Sequence, residues 1–196
     1  GDVLSENPKN GMYKPQSSYV TNGTGTPILR IDAFYNGKVT NWNLKRLICN
    51  KKDIEKYALR VGDIVINRVN SIEYLGKCAY IDKINEPTVY ESNMMRFTPH
   101  KDIINSIFLT KLLCHEYIYS QILIKSKKAV NQASINQKDV ISFNILLPPV
   151  ELQNKFAQKI QKIEEQKELM QQSLTELENN FNSLMQRAFK GELFKD

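Results

Sequence analysis

The sequence predicts an α+β protein: a globular mixed domain over residues 1–148, then one long helix over residues 149–196 that pairs as a coiled coil. Three observations carry that expectation. Short stretches rich in β-branched and aromatic residues recur between turn residues in the first part of the chain. A helical spacing of apolar residues interrupts them after residue 103. Beyond Pro148-Pro149, the run "NKFAQKIQKIEEQKELMQQSLTELENNFNSLMQRAF", with neither Pro nor Gly, keeps a single heptad register from Asn154 to Phe189.

The opening segment "SENPKNGMYKPQSSYVTNGTGTP" is dense in Gly, Pro, Asn and Ser and is expected to cross the surface as loop. Within it, Asn22 heads an "NGT" triplet that matches a glycosylation acceptor and is read as a turn. Strands are expected in "ILRIDAF", "DIVINRV", "KCAYID" and "VYESNMMRFTP", with turns at Asn36-Gly37 and Gly62-Asp63. From about Ile103 to Lys125, Ile104, Phe108 and Leu112 fall on one helical stripe, continued by Ile118 and Ile122, so one helix should close the core of the sheet. Ser134, with Gln137 three residues on, reads as a capping box for a short helix, and "FNILLPP" reads as a last strand.

Pro148-Pro149 ends that strand, and Pro149 suits the first turn of the next helix because its missing N–H costs nothing there. Phe156, Ile160, Ile163, Lys167, Met170, Leu174, Leu177, Phe181, Leu184 and Ala188 then follow at alternating steps of four and three. With Phe156 at d, the a positions are Ile160, Lys167, Leu174, Phe181 and Ala188, and the single flaw is Lys167. Either that lysine restricts register and partner number, or its ammonium snorkels past the seam into water. Gly191 is a natural cap at the far end. The helix should thus run about forty residues, ~60 Å at the usual rise. A domain of this size has a radius of only ~15 Å. The bland alternative is a helix lying along its own domain; the narrow seam and the length favour a partner outside it.

The apolar fraction of 41% suffices for a true core. No run of eighteen apolar residues and no signal peptide are recognisable, so no membrane contact and a cytoplasmic location are expected. Cys49, Cys78 and Cys114 are scattered in sequence and not grouped with His100 or His115, which predicts reduced thiols and no metal. The net charge of +6 is uneven: twenty Lys and Arg face thirteen Asp and Glu before Val150, and seven face eight from Val150 onward. A basic domain on a near-neutral helix fits a polyanion on one side and protein on the other.

Signatures of chemistry are missing. "NGTGTP" lacks the lysine of a phosphate-binding loop, and "ILLPPVE" lacks the amide and aromatic of an adenine methyl-transfer site. Asp32, Asp63, Glu73 and Asp82 lack the spacing of a shared-metal nuclease site. No catalysis is expected from this chain.

The residues named so far resemble the specificity subunit of type I restriction-modification enzymes. The block "ILLPPVELQNKFAQKIQKIEEQKELMQQSLTELENNFNSLMQRAFKGEL" is similar to the family's spacer region, with its double proline, its Gln-containing first turn and its Arg-Ala-Phe-x-Gly-Glu-Leu end; Val150-Glu151-Leu152-Gln153 stands where Glu-Glu-Gln is usual. "TPILRIDAFYNGKV", "GDIVINRVNSIEYLGKCAYI", "VYESNMMRF" and "AVNQASINQKDVISFNILLPP" resemble its target recognition domain. The resemblance implies a non-catalytic protein that reads half of a bipartite site on double-stranded DNA. It implies long helices paired antiparallel as a spacer, methyltransferase subunits carrying S-adenosylmethionine docked on that frame, and restriction subunits outside; this chain itself would hold no cofactor. One recognition domain and one helix make half of a full subunit, which pairs either with a copy of itself or with a second half. Two rival readings stay open: a coiled-coil adaptor with an incidental basic face, and the recognition part of a single-chain restriction-methylation enzyme.

Recognition needs Lys and Arg for phosphates and amides, hydroxyls or guanidinium groups for base edges. Three stretches qualify. The first offers Arg30, Tyr35 and Lys38 around a hairpin, with Asn36 assigned to the turn. The second offers Asn67, Arg68, Asn70 and Ser71 where a strand leaves into a loop. The third, "KSKKAVNQASIN", offers Lys125, Lys127, Lys128, Asn131 and Gln132, with Ser134 assigned to the cap. For each, a solvated loop residue is the competing explanation.

Overall fold

The structure is a computed structural model describing residues 1–21 and 23–193; Asn22, which heads the acceptor triplet, lies outside the described residues. It divides into two units, Gly1–Asn154 and Lys155–Asp196. In chain order the strands are β1 (Leu4–Asn10), β2 (Tyr19–Val20), β3 (Thr26–Leu29), β4 (Phe34–Tyr35), β5 (Gly37–Val39) and β6 (Arg46–Leu47), then helix α1 (Lys51–Tyr57). There follow β7 (Ile64–Asn67), β8 (Val69–Asn70), β9 (Cys78–Tyr80), β10 (Val89–Tyr90) and β11 (Met94–Pro99), helices α2 (Ser106–Leu113) and α3 (Glu116–Lys125), β12 (Lys127–Lys128), β13 (Ala133–Ser134), α4 (Gln137–Ile141) and α5 (Val150–Phe189). The architecture is α+β, with a long C-terminal helix.

A six-stranded sheet in the order β1-β11-β7-β9-β5-β4 is the scaffold. "DIVINRV" supplies its centre, where period-two alternation sends Ile64 and Ile66 to one core and Val65 to the other. The first core is closed by Leu109 and Leu113 of α2 and by Ile118 and Ile122 of α3; the second holds Leu29, Phe34, Ala79, Ile81, Tyr90 and Met94. A second sheet, β10-β3-β6-β2, and a small third one, β12-β13-β8, flank it.

Several expectations are corrected. The opening segment is not all loop: Leu4–Asn10 is an edge strand on β11, its register broken twice, an arrangement that tolerates Pro8. "ILRIDAF" splits into β3 and β4 of different sheets, because Ala33 N–H turns back to Arg30 O at 3.0 Å. "VYESNMMRFTP" likewise divides into β10 and β11. The single helix over 103–125 is two, since His115 Nδ1 accepts from Tyr117 N–H at 3.2 Å and caps a new start. The capping box of α4 is Asn136 with Asp139, while Ser134 lies in β13. "FNILLPP" is not a strand: Gln121 bonds both Asn144 N–H (2.8 Å) and Asn144 O (2.9 Å), so that backbone is satisfied by a side chain. Helix α1, capped by Asn50 accepting from Asp53 N–H, was not foreseen. Cys78 and Cys114, distant in sequence, meet with Sγ atoms 3.4 Å apart and remain free thiols.

The start of α5 is fastened by a buried amide. Gln153 donates to Ile103 O (3.2 Å) and Pro148 O (2.7 Å) and accepts from Asn105 N–H (2.9 Å). Asn105, which caps α2 by accepting from Ile107 and Phe108 N–H, also donates to Asn154 Oδ1 at 2.9 Å. At the other end Gly191, at φ 68°, donates to Ala188 O at 3.0 Å and stops the helix as its position predicts. Along α5 the seam residues Phe156, Ile163, Met170, Leu174, Leu177, Phe181 and Leu184 are all exposed, Met170 at 70% and Leu177 at 66%. Ile160 is half-buried and the flaw in the ladder, Lys167, lies 3.8 Å from Glu164 Oε1. Among the described residues no helix is long and apolar enough to cross a membrane.

Candidate nucleic-acid interface

Two of the three predicted stretches form one structure. β8 pairs with β13 and β13 with β12, so Ala133 faces Asn70 on one side and Lys128 on the other, and Ser134 faces Val69 and Lys127. The tip of the β12–β13 hairpin closes with Ala129 N–H on Gln132 O at 2.7 Å. That turn leaves Asn131 and Gln132, like Lys127 and Lys128, exposed; Val130 at the tip is 98% exposed. Lys125 is half-buried in the last turn of α3, where a cation favours the helix dipole. A cavity of about 380 Å³ opens between Ser71, Glu73, Lys128, Asn131 and Gln132.

The first stretch borders the same face. Asn36, at φ 49°, and Gly37, at φ 86°, make the two-residue turn that pairs Tyr35 with Lys38. Tyr35, Glu73, Tyr74 and Lys77 line a second cavity, of about 180 Å³. Glu73 lines both cavities, so the hairpin of β4 and β5, the turn after β8 and the β12–β13 hairpin adjoin one another. Lys38 is half-buried beside them.

Other predicted residues support this face from behind. Asn67 is fully buried and donates to Tyr74 O at 3.4 Å, while its own backbone exchanges bonds with Lys77 O and Gly76 N–H. Arg68 donates to Ser92 O at 3.1 Å, and Asn70 Oδ1 accepts from Ser71 N–H at 2.8 Å. Asn70 therefore braces the turn after β8, and Arg68 ties the start of β8 to the segment before β11. Arg30 is held 3.4 Å from Glu91 Oε2 and 6.0 Å from the Tyr19 ring centroid.

Sequence reasoning missed Tyr74 and Lys77. Lys77 Nζ sits 5.4, 5.0 and 5.8 Å from the ring centroids of Phe34, Tyr35 and Tyr74, and donates to Ile31 O at 3.4 Å. Burial among these rings pushes its pKa below the ordinary lysine value, against a small upward pull from Asp32. Among the described residues no group of three His, Cys, Asp or Glu side chains is placed to hold a metal ion.

A mixed α+β domain with a polar, lysine-bearing face, ending in a single forty-residue helix, is the class that the fold defines. The chain belongs to the family of the type I restriction modification DNA specificity domain, whose family model matches residues 1–179. It is 33% identical over 150 residues to the specificity subunit named for the MjaX type I restriction enzyme of Methanocaldococcus jannaschii, covering 76% of this chain and 35% of that protein. To the EcoKI specificity subunit of Escherichia coli K12 it is 27% identical over 195 residues, covering 94% of this chain and 40% of that one. The fold is shared with the S subunit of a type I system from M. genitalium (TM-score 0.63, 15% identity, 98% of this chain and 45% of that one). It is shared too with the HsdS subunit of Thermoanaerobacter tengcongensis (TM-score 0.59, 16% identity, 95% and 46%). The chain thus spans less than half the length of the relatives it matches.

Proposed function

We propose that residues 1–148 read one half of a bipartite DNA site and that residues 149–196 form a spacer, pairing antiparallel with a second such helix. The observation that carries this is the union of Asn70, Lys127, Lys128 and Ser134 in one three-stranded sheet beside exposed Asn131 and Gln132. Exposed lysines at a rim with amides between them are what phosphate positioning and base-edge readout require together. The partners on this reading are duplex DNA, methyltransferase subunits that bring S-adenosylmethionine, and restriction subunits. The chain contributes no catalytic group and no cofactor, and works in the cytoplasm. Lys127, Lys128 and Lys38 meet phosphates; Tyr35, Ser71, Asn131 and Gln132 face the groove; Asn67, Arg68 and Asn70 hold the turn that presents them, and Arg30 and Lys125 flank it.

The test is duplex binding by the chain reconstituted with a type I methyltransferase subunit. With six to ten phosphates neutralised per two-fold complex, affinity should fall ~10³- to 10⁵-fold between about 50 and 200 mM salt. Binding that is absent, or indifferent to salt, favours the adaptor reading instead.

A further inference from the structure

We propose that Lys77 is a specificity-determining residue that reads the guanine edge, O6 and N7, in the major groove. This rests on the DNA-reading role above and names the base that one position of the face selects. Most surface lysines are flexible, strongly hydrated point charges suited to phosphates. Lys77 differs on three counts. Its ammonium is enclosed by Phe34, Tyr35 and Tyr74 and tied to Ile31 O, which fixes where its remaining N–H groups point. It is half-buried, so part of its hydration is already gone before any ligand arrives. Glu73 lines the same cavity and the Asp32 charge acts on the ammonium, so the negative charge around it disfavours a phosphate.

A fixed cation that disfavours phosphate suits a base edge rich in acceptors. In the major groove only guanine presents two acceptors and no donor, and Lys to O6/N7 is among the commonest specific contacts; adenine sets an N6 donor beside N7, and cytosine presents a donor. Tyr35 and Tyr74, 54% and 51% exposed, form the walls of the opening and limit lateral movement of both the ammonium and the base that meets it. The backbone locks the arrangement: Asn67 N–H bonds Lys77 O at 2.8 Å and Gly76 N–H bonds Asn67 O at 3.0 Å.

The experiment selects duplexes from a randomised DNA library with the methyltransferase-bound chain, then repeats the selection with Lys77→Met. The wild-type complex should select a motif with guanine at a defined position in each half-site, and Lys77→Met should reduce that one preference about tenfold while the salt slope stays unchanged. In parallel, 7-deazaguanine at that position should weaken the wild type about tenfold, a readout that needs no variant of doubtful folding, and should leave Lys77→Met indifferent. An unchanged motif in Lys77→Met overturns the proposal. So does an even loss across all sequences with a salt slope smaller by about one, which marks a phosphate contact. A wild-type complex that selects no motif overturns the DNA-reading role itself, and the proposal with it.

Discussion

Arg96 and Asp63 form an ion pair inside the main sheet: Arg96 Nη1 lies 3.1 Å from Asp63 Oδ2, and their side chains are 3% and 0% exposed. Neither charge is left alone. Asp63 also accepts from Thr98 Oγ1 (2.7 Å) and Arg60 N–H (2.8 Å), and Arg96 Nη2 reaches Glu6 at 2.8 Å. This network ties β1 to β11 and to the start of β7, the frame on which the turns of the candidate interface stand. Asp63→Ala would leave the buried Arg96 guanidinium with Glu6 as its one remaining carboxylate and should cost about 3 kcal/mol, the low end for a broken buried pair. Urea unfolding followed by circular dichroism measures it; a loss of under about 1 kcal/mol would show the pair to be hydrated.

Glu6 sets a pH dependence at the edge of that network. Burial alone would raise its pKa, but hydrogen bonds from Lys9 and Arg60 and the Arg96 charge outweigh it and pull the value from 4.5 to about 2. A depressed carboxylate stabilises the fold above its unfolded value, and that contribution fades as pH falls from about 4.5 towards 2. The urea midpoint of the wild type should therefore drop more steeply across this window than that of Glu6→Gln. Parallel curves would contradict the assignment.

Gln153 is predicted to be a sensitive residue in the joint. Gln153→Ala strands Asn105 N–H, Ile103 O and Pro148 O together, a loss of about 1–3 kcal/mol per buried group left unmet, partly relieved by water. Thermal unfolding of the variant should show a clearly lowered midpoint, while Asn154→Ala, which removes one exposed bond, should scarcely move it.

On the DNA face, lysines and amides should separate by readout. Lys127→Ala and Lys128→Ala should each lower the slope of log affinity against log salt by about one without altering the selected motif. Asn131→Ala and Gln132→Ala should leave the slope alone and relax preference at one base pair each, at a cost of about 1–3 kcal/mol of discrimination. The converse pattern in a binding series over salt would reassign the hairpin.

How much of this was legible in the sequence follows from the range of the interactions. β7 could be read because its burial on both faces is written in four adjacent residues, and α5 because a heptad repeats locally from Phe156 to Ala188. The β4–β5 turn was announced by Asn36-Gly37. β1 was hidden, since its sequence reads as turn and its ladder partner β11 lies some ninety residues on. The break between α2 and α3 depends on a histidine used as a cap, a rare choice that propensity does not flag. Helix α1 did carry a signal, Asn50 with Asp53 three residues later, on a segment too short to show periodicity. At the candidate interface, polar loop residues were visible, but Lys77 was not: its rings come from positions 34, 35 and 74, and only folding places them around one ammonium.

The exposed seam of α5 makes its strongest demand on association. Sedimentation equilibrium of the purified chain, mass 22.7 kDa, should report twice that mass at micromolar concentration, and Leu174→Lys with Leu177→Lys should return it to a single chain. A wild-type chain that stays at 22.7 kDa at every concentration, alone and mixed with a second half-subunit, would contradict the spacer role of the helix.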